Sequence, residues 1–110
     1  TLVKEMLRCS DITGICSEAE CSGICASDLM SEVLMMAERG HLIITNLLNM
    51  QTVRTAEMVE ASGIIFVNGK EPNKEMVNLA KNKGISVLVT QYSLFETCGI
   101  LYAYMQGDKT

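Results

Sequence analysis

The chain is 110 residues long, 48% of its residues are hydrophobic, and its formal net charge is −4. This length predicts a single globular domain over residues 1–110, with a core that needs no disulfide or metal. The acidic balance argues against a nucleic-acid surface, which needs clustered Lys and Arg, and against a surface for anionic membranes. Apolar runs such as "GIIFV" are too short to span a bilayer, and no signal peptide is visible, so we expect a cytoplasmic location.

The first 26 residues predict one short helix and two short strands. Residues 1–8 fit an amphipathic helix whose apolar side holds Val3, Met6 and Leu7. The stretches "DITGIC" and "CSGICA" fit strands joined by "SEAE". This part of the chain therefore adds two strands ahead of the more regular pattern that follows.

Four of the five cysteines lie in the same region, at Cys9, Cys16, Cys21 and Cys25. Their spacing matches neither the paired C-x2–4-C of structural zinc sites nor a ferredoxin run. On one strand Cys21 and Cys25 would lie about 13 Å apart, too far to bind one ion. We therefore expect packed thiols and no metal, with Cys98 in the core. A metal, a functional disulfide or a redox role is the alternative.

Residues 26–40, "ASDLMSEVLMMAERG", predict the next helix. Ser27 or Asp28 suits its N-cap, and Gly40 suits its end. Its predicted apolar stripe includes Leu29, Val33, Met36 and Ala37.

After residue 41 the chain repeats a βα pattern three times, over residues 42–63, 64–84 and 85–107. The apolar runs "LIIT", "IIFV" and "VLVT" are typical of strands buried on both faces. A helix-spaced segment and a closing Gly follow each run. In the second unit, Pro72 suits the first helical turn and Gly84 the left-handed position after the helix. The alternation predicts a three-layer α/β fold, with a mostly parallel sheet of about five strands and helices on both faces.

A candidate site follows from this topology, because ligands of open parallel sheets bind beyond the carboxyl ends of the strands. Helix N-termini at those ends, with Lys70 and Arg54 as cations, would favour an anion. Since Asn, Gly and Thr are also ordinary turn and cap residues, a purely structural role is the alternative. The short polar residues at these ends, able to hydrogen-bond a small polar ligand, are Ser27, Asp28, Thr45, Asn46, Asn68, Gly69, Thr90 and Gln91.

No catalytic set is recognisable in the sequence. His41, the sole histidine, precedes a strand at the end away from the candidate site, which favours a surface or structural role. "NGKEPNKE" lacks the P-loop pattern, and no G-x-G-x-x-G fingerprint is present. Glu18, Glu20 and Asp28 are near in sequence, but nothing pairs them for acid–base chemistry. We therefore predict no catalytic residue, no metal and no cofactor.

Three stretches resemble the DRTGG domain family in order and spacing. They are "GICASDLMSEVLMMAERGHLIIT", "AEMVEASGIIFVNGKEPNKEMVNLAKNKGISVLVT" and "SLFETCGILY". The family's Val-Ser-Asp-Leu-Leu-Ser step corresponds to residues 26–31, and its Glu-Pro pair to Glu71 and Pro72. The eponymous Asp-Arg-x-x-Thr-Gly-Gly stretch is degraded to "EAECSGI": Ala19 replaces the Arg, while Ser22 and Gly23 take the Thr-Gly places.

The resemblance implies a fold like the N-terminal domain of HPr kinase/phosphorylase. It also implies a regulatory or accessory module rather than an enzyme. A distant likeness of this family to paired CBS domains, which sense adenine nucleotides, implies a nucleotide as one class of ligand. Because Ala19 replaces the family's Arg, any role of that Arg is absent here.

Two classes of function fit these observations. The first is a non-catalytic regulatory domain that senses a small metabolite or nucleotide and so alters contacts with a partner enzyme. The second is an assembly protein that acts through a homodimer or a partner-enzyme surface, with Tyr102 and Tyr104 as contacts. A weaker third hypothesis is a redox or metal accessory protein using the N-terminal cysteines. An exposed sheet edge favours a dimer.

Overall fold

The computed structural model describes residues 2–13 and 23–107. Strands and helices alternate along most of this length. The helices are α1 (Leu2–Met6), α2 (Met30–Met36), α3 (Met50–Met58), α4 (Lys74–Asn82) and α5 (Leu94–Gly107). The strands are β1 (Ser10–Asp11), β2 (Gly23–Ala26), β3 (His41–Thr45), β4 (Gly63–Phe66) and β5 (Ser86–Val89).

The strands form one sheet in the order β1-β5-β4-β3-β2. Strands β2, β3, β4 and β5 are parallel to one another, whereas β1 is antiparallel to β5. The predicted α/β fold with a mostly parallel sheet is confirmed. The strand predicted over residues 11–16 differs: pairing is observed at Ser10 and Asp11, and residues 14–16 lie outside the described residues. Strand β1 pairs with β5 and forms the edge of the sheet opposite β2.

Helices cover both faces of the sheet, which explains why the strands are continuously apolar. Successive strand residues point to opposite faces, so Ile43 packs on one side and Ile44 on the other, both fully buried. The first face packs against α2, α3 and α4 through Val33, Val53 and Ala80. The second packs against α5 through Leu101, and against the chain just after α1.

Helix α2 differs from its predicted form. It is seven residues long and buries Met30 and Val33, whereas Leu29 and Met36 are 57% and 65% exposed. Leu29 precedes the helix, and Met30 and Val33, three residues apart, share the side of the helix that packs on the sheet. Its N-cap residue is Leu29, whose side chain makes no capping hydrogen bond. Ser27 and Asp28, which were predicted as N-caps, make other contacts.

Helices α3 and α4 end with the same backbone motif. The Gly84 N–H donates to the Lys81 carbonyl at 3.2 Å, and the Ile85 N–H donates to the Ala80 carbonyl at 2.9 Å. These two bonds define a Schellman ending, with Gly84 at φ +71° in the left-handed position. In α3 the same position is held by Glu60, at φ +56°.

We expect Gly84→Ala to lower the free energy of unfolding by about 1 kcal/mol, because a side chain disfavours the left-handed conformation. An added Cβ there meets nothing within 4 Å, so only the backbone contributes. The matched variant Glu60→Gly should raise the free energy of unfolding, since it relieves the same strain and removes only an exposed ion pair with Arg39. Urea denaturation measures both. Changes of the same sign would contradict this interpretation.

Candidate functional site

The parallel register aligns the carboxyl ends of the central strands. Thr45 lies opposite Phe66, which in turn lies opposite Val89, and Ala26 lies opposite Ile44. The chain therefore leaves β2, β3, β4 and β5 on the same side of the domain, at the carboxyl ends of these strands. Thr45 ends β3, and the other seven residues predicted for the site lie in the loops that follow these strands.

Asp28 joins the loop after β2 to the loop after β3. Its Oδ1 accepts a hydrogen bond from the Thr45 hydroxyl at 2.9 Å and another from the Asn46 backbone N–H at 2.7 Å. The Thr45 Oγ1 also accepts from the Leu47 N–H at 3.0 Å. Thr45 is fully buried, so its hydroxyl holds Asp28 in place instead of facing solvent.

Ser27 is engaged within its own loop. Its backbone N–H donates to the Ile44 carbonyl at 3.1 Å, which continues the β2–β3 pairing by one residue. Its hydroxyl donates to Glu32 at 2.8 Å and accepts from the Leu29 N–H at 3.0 Å. Ser27 therefore shapes the start of α2.

Asn68 and Gly69 form a tight turn after β4. Both have positive φ, +61° and +67°, and the Lys70 N–H donates to the Val67 carbonyl at 3.4 Å, as in a type I′ turn. The turn is fixed to the chain after β5, since the Asn68 N–H donates to the Tyr92 carbonyl at 2.8 Å. The Asn68 side chain therefore has a defined direction at the surface.

The turn after β4 contacts the loop after β3. The Asn68 Nδ2 donates to the Asn46 Oδ1 at 3.2 Å, and the Lys70 Nζ donates to the Asn46 carbonyl at 3.4 Å. Together with the bonds to Asp28, these contacts bring an amide pair, a carboxylate and an ammonium group together across three adjacent strands. We call Asp28, Asn46, Asn68 and Lys70 the polar cluster.

Residues after β5 lie beside this cluster. The Gln91 side chain lies directly over Gly69, where a Cβ would collide with it. Thr90 is fully buried, and its hydroxyl donates to the Leu7 carbonyl at 2.6 Å and accepts from the Tyr92 N–H at 3.3 Å. Thr90 therefore anchors the N-terminal segment. Because its hydroxyl hydrogen is bonded to the Leu7 carbonyl, it is not available to a ligand.

His41 and Arg54 lie apart from the cluster. His41 begins β3, at the opposite end of that strand, and its Nδ1 accepts from the Glu38 N–H at 3.2 Å. Arg54 is exposed in the middle of α3, five residues beyond the N-cap Asn49 and so roughly 7 Å along the helix. Lys70 is thus the predicted cation that reaches the cluster.

The cysteines of the described residues are thiols outside any disulfide: Cys9, Cys25 and Cys98. Burial raises the pKa of Cys25 above its ordinary value, with the Glu32 carboxylate adding to the rise, and burial also raises the pKa of Cys98. Protonated thiols are poor nucleophiles and metal ligands. Over residues 2–13 and 23–107, no three His, Cys, Asp or Glu side chains converge to hold a metal. Cys16 and Cys21 lie outside those ranges.

An apolar groove of about 530 Å³ lies between α5 and β2. Its lining residues are Ile24, Ala26, Phe95, Cys98, Gly99, Leu101, Tyr102 and Met105. Cys98, which we expected in the core, is half-buried at this groove. The groove was not predicted, because it depends on how α5 packs beside β2. The available signal was the spacing of Phe95, Tyr102 and Met105, which places them along one side of a helix.

In the part of the chain that the structure describes, no helix combines the length and the apolar character needed to cross a membrane.

The geometry defines an α/β domain with polar loops at the carboxyl ends of its parallel strands. No family model matches the chain, and no curated protein matches it. A solved structure does: the CBS and DRTGG domains of the regulatory region of Clostridium perfringens pyrophosphatase, complexed with its activator diadenosine tetraphosphate. The TM-score is 0.72 at 15% identity, over 89% of this chain and 43% of that chain.

At this level of identity the likeness concerns the fold. The chain has a DRTGG-like fold, in agreement with the resemblance of its sequence. It spans less than half the length of the similar structure.

Proposed function

We propose that this chain is a non-catalytic regulatory domain that binds a small metabolite or nucleotide at the carboxyl ends of its parallel strands. The polar cluster carries this proposal. Its four residues come from three neighbouring loops, yet hydrogen bonds of 2.7 to 3.4 Å hold them in one arrangement. A pre-organised set of amide, carboxylate and ammonium groups recognises polar ligands at little entropic cost.

The chemistry of the cluster supports binding rather than reaction. Amides do not transfer protons at neutral pH, and Asp28 already accepts two hydrogen bonds. His41, the sole histidine of the chain, lies at the far end of β3. The similarity to a regulatory region complexed with a nucleotide activator favours a nucleotide as the ligand class.

Lys70 gives the cluster a preference among polar ligands. Its ammonium group lies 3.4 Å from the Asn46 carbonyl, beside the turn of Asn68 and Gly69. A phosphate at this position would gain a charge-assisted hydrogen bond, and the asparagine amides would serve a base or sugar. We therefore infer a phosphorylated ligand such as an adenine nucleotide.

The experiment is isothermal titration calorimetry of the protein with AMP, ADP, ATP and diadenosine tetraphosphate. We expect at least one of them to bind, and we expect Asn68→Gly to weaken that binding about tenfold, or 1.4 kcal/mol. Glycine adopts the positive φ of residue 68 without strain, so this variant removes the amide and keeps the turn.

Asn78→Ala is the matched control, since it removes an exposed amide from α4. It should bind like the wild type. If Asn68→Gly binds every nucleotide with unchanged affinity, or if none of the four binds to the wild type, the proposed site is wrong.

A further inference from the structure

Helix α5 has an unusually apolar surface for an exposed helix. Its only charged residue is Glu96, so residues 97–107 carry no charge. Phe95 is 87% exposed, Tyr102 66% and Met105 44%. Their spacing places them on one side of the helix. In soluble proteins, helical faces of this kind are covered by another surface.

The centre of this face carries small residues and is open. Cys98 and Gly99 lie between Phe95 and Tyr102, and an added Cβ at Gly99 meets nothing within 4 Å. Small residues at the middle of a helix let a second helix approach to about 8 Å. Beside them, Ile24 and Ala26 of β2 complete the apolar groove.

We propose that a second copy of this chain covers this face, with the two α5 helices antiparallel across a twofold axis near Cys98 and Gly99. Phe95 and Tyr102 are equally far from the midpoint of that pair, so the axis places Phe95 against the partner's Tyr102. The protruding Phe95 and the groove lie on the same surface. This is the self-complementarity that a twofold interface requires.

The two aromatic anchors supply part of the area that a dimer needs. An aromatic side chain buries about 150–250 Å², so the exposed fractions of Phe95 and Tyr102 correspond to roughly 230–380 Å². A standard interface buries about 800 Å² per partner. Met105, the small residues of α5 and the apolar residues of β2 extend the patch toward that value.

Charge and shape favour a second copy over a small ligand. Two chains of net charge −4 repel each other in general, but the uncharged stretch 97–107 allows them to meet without pairing like charges. A small-molecule site encloses its ligand, whereas Phe95 is almost fully outside the protein surface. A projecting aromatic residue is typical of an interface anchor.

Sedimentation velocity from about 1 μM to about 1 mM tests the proposal. The wild type should form a dimer, and Gly99→Arg should raise the dissociation constant at least tenfold, because it places a charge at the centre of the interface. The open space at Gly99 accommodates the arginine in the monomer, so the melting temperature of dilute protein should not fall. Asn78→Arg, with the same side chain on α4, should dimerise normally.

The antiparallel arrangement has its own test. Phe95→Glu and Tyr102→Lys should each sediment as monomers, whereas an equimolar mixture should recover a heterodimer through pairing of the two new charges. A wild type that is monomeric throughout, or a Gly99→Arg variant that dimerises as tightly as the wild type, would overturn the proposal. A mixture without recovery would overturn the antiparallel arrangement. Nucleotide is absent from these experiments, so their outcome is independent of the proposed ligand site.

Discussion

Thr90→Val should lower the free energy of unfolding by about 2–3 kcal/mol, although valine has nearly the same shape as threonine. The lost hydroxyl donates to the Leu7 carbonyl at 2.6 Å and accepts from the Tyr92 N–H at 3.3 Å. Thr90 and Leu7 are both fully buried, so water cannot replace these bonds. The melting temperature should fall by about 8–12 °C, which differential scanning calorimetry measures.

Thr90→Ser is the matched control, since it keeps the hydroxyl and removes only a methyl group. It should cost about 1 kcal/mol. Hydrogen exchange adds a local readout. Relative to the wild type, Thr90→Val should speed the exchange of α1 amides more than that of α3 amides, because Leu7 follows α1 directly. A valine variant as stable as the serine variant would show that the bond to Leu7 contributes little.

The three βα units were predictable because each uses only local signals. The predicted runs "LIIT", "IIFV" and "VLVT" overlap β3, β4 and β5 to within one residue at each end. Continuous β-branched residues, a helical period and a turn residue all lie within some 20 positions of each other. Gly84 shows this well, since the left-handed position after α4 favours glycine.

The same pattern misleads where another residue takes the role. The first unit was expected to close at Gly63, but Glu60 holds the left-handed position after α3. Gly63 is instead the first residue of β4, and a Cβ there would lie 3.1 Å from the Ser86 carbonyl oxygen. Its small size serves the close approach of β4 and β5, which no local pattern indicates.

Long-range contacts explain the remaining differences. Strand β1 pairs with β5, and Thr90 bonds to Leu7 across 83 positions. Nothing near Ser10 or Thr90 in the sequence specifies such partners. The rule that ligands bind beyond the carboxyl ends of parallel strands did select eight residues that lie together at those ends. It could not distinguish a buried hydroxyl such as that of Thr90 from an accessible amide such as that of Asn68.

The polar cluster depends on its geometry, and Asp28 holds that geometry together. One carboxylate oxygen of Asp28 fixes the Asn46 backbone, and Asn46 in turn accepts hydrogen bonds from Asn68 and Lys70. Removing Asp28 would therefore disconnect the loop after β3 from the loop after β2. The effect would spread to residues that Asp28 does not contact.

We expect Asp28→Ala to weaken nucleotide binding at least tenfold and to lower the free energy of unfolding by about 1 kcal/mol. The buried Thr45 hydroxyl loses its acceptor, and the Asn46 N–H loses a charge-assisted bond of 2.7 Å. Calorimetric titration measures the first effect and urea denaturation the second. A larger loss of binding than of stability is expected, because solvent can reach the exposed loop but cannot restore its position.

Asp28→Asn distinguishes a role of Asp28 in positioning Asn46 from a role of its negative charge in binding the ligand. Its amide oxygen can accept the same two hydrogen bonds, each about half as strong without the charge. If Asp28 acts by positioning Asn46, the asparagine variant should bind nucleotide within about threefold of the wild type, or about 0.7 kcal/mol. If both variants lose affinity equally, the carboxylate itself contacts the ligand, and the positioning role is wrong. Unchanged binding in Asp28→Ala would contradict both roles and place the ligand elsewhere on the domain.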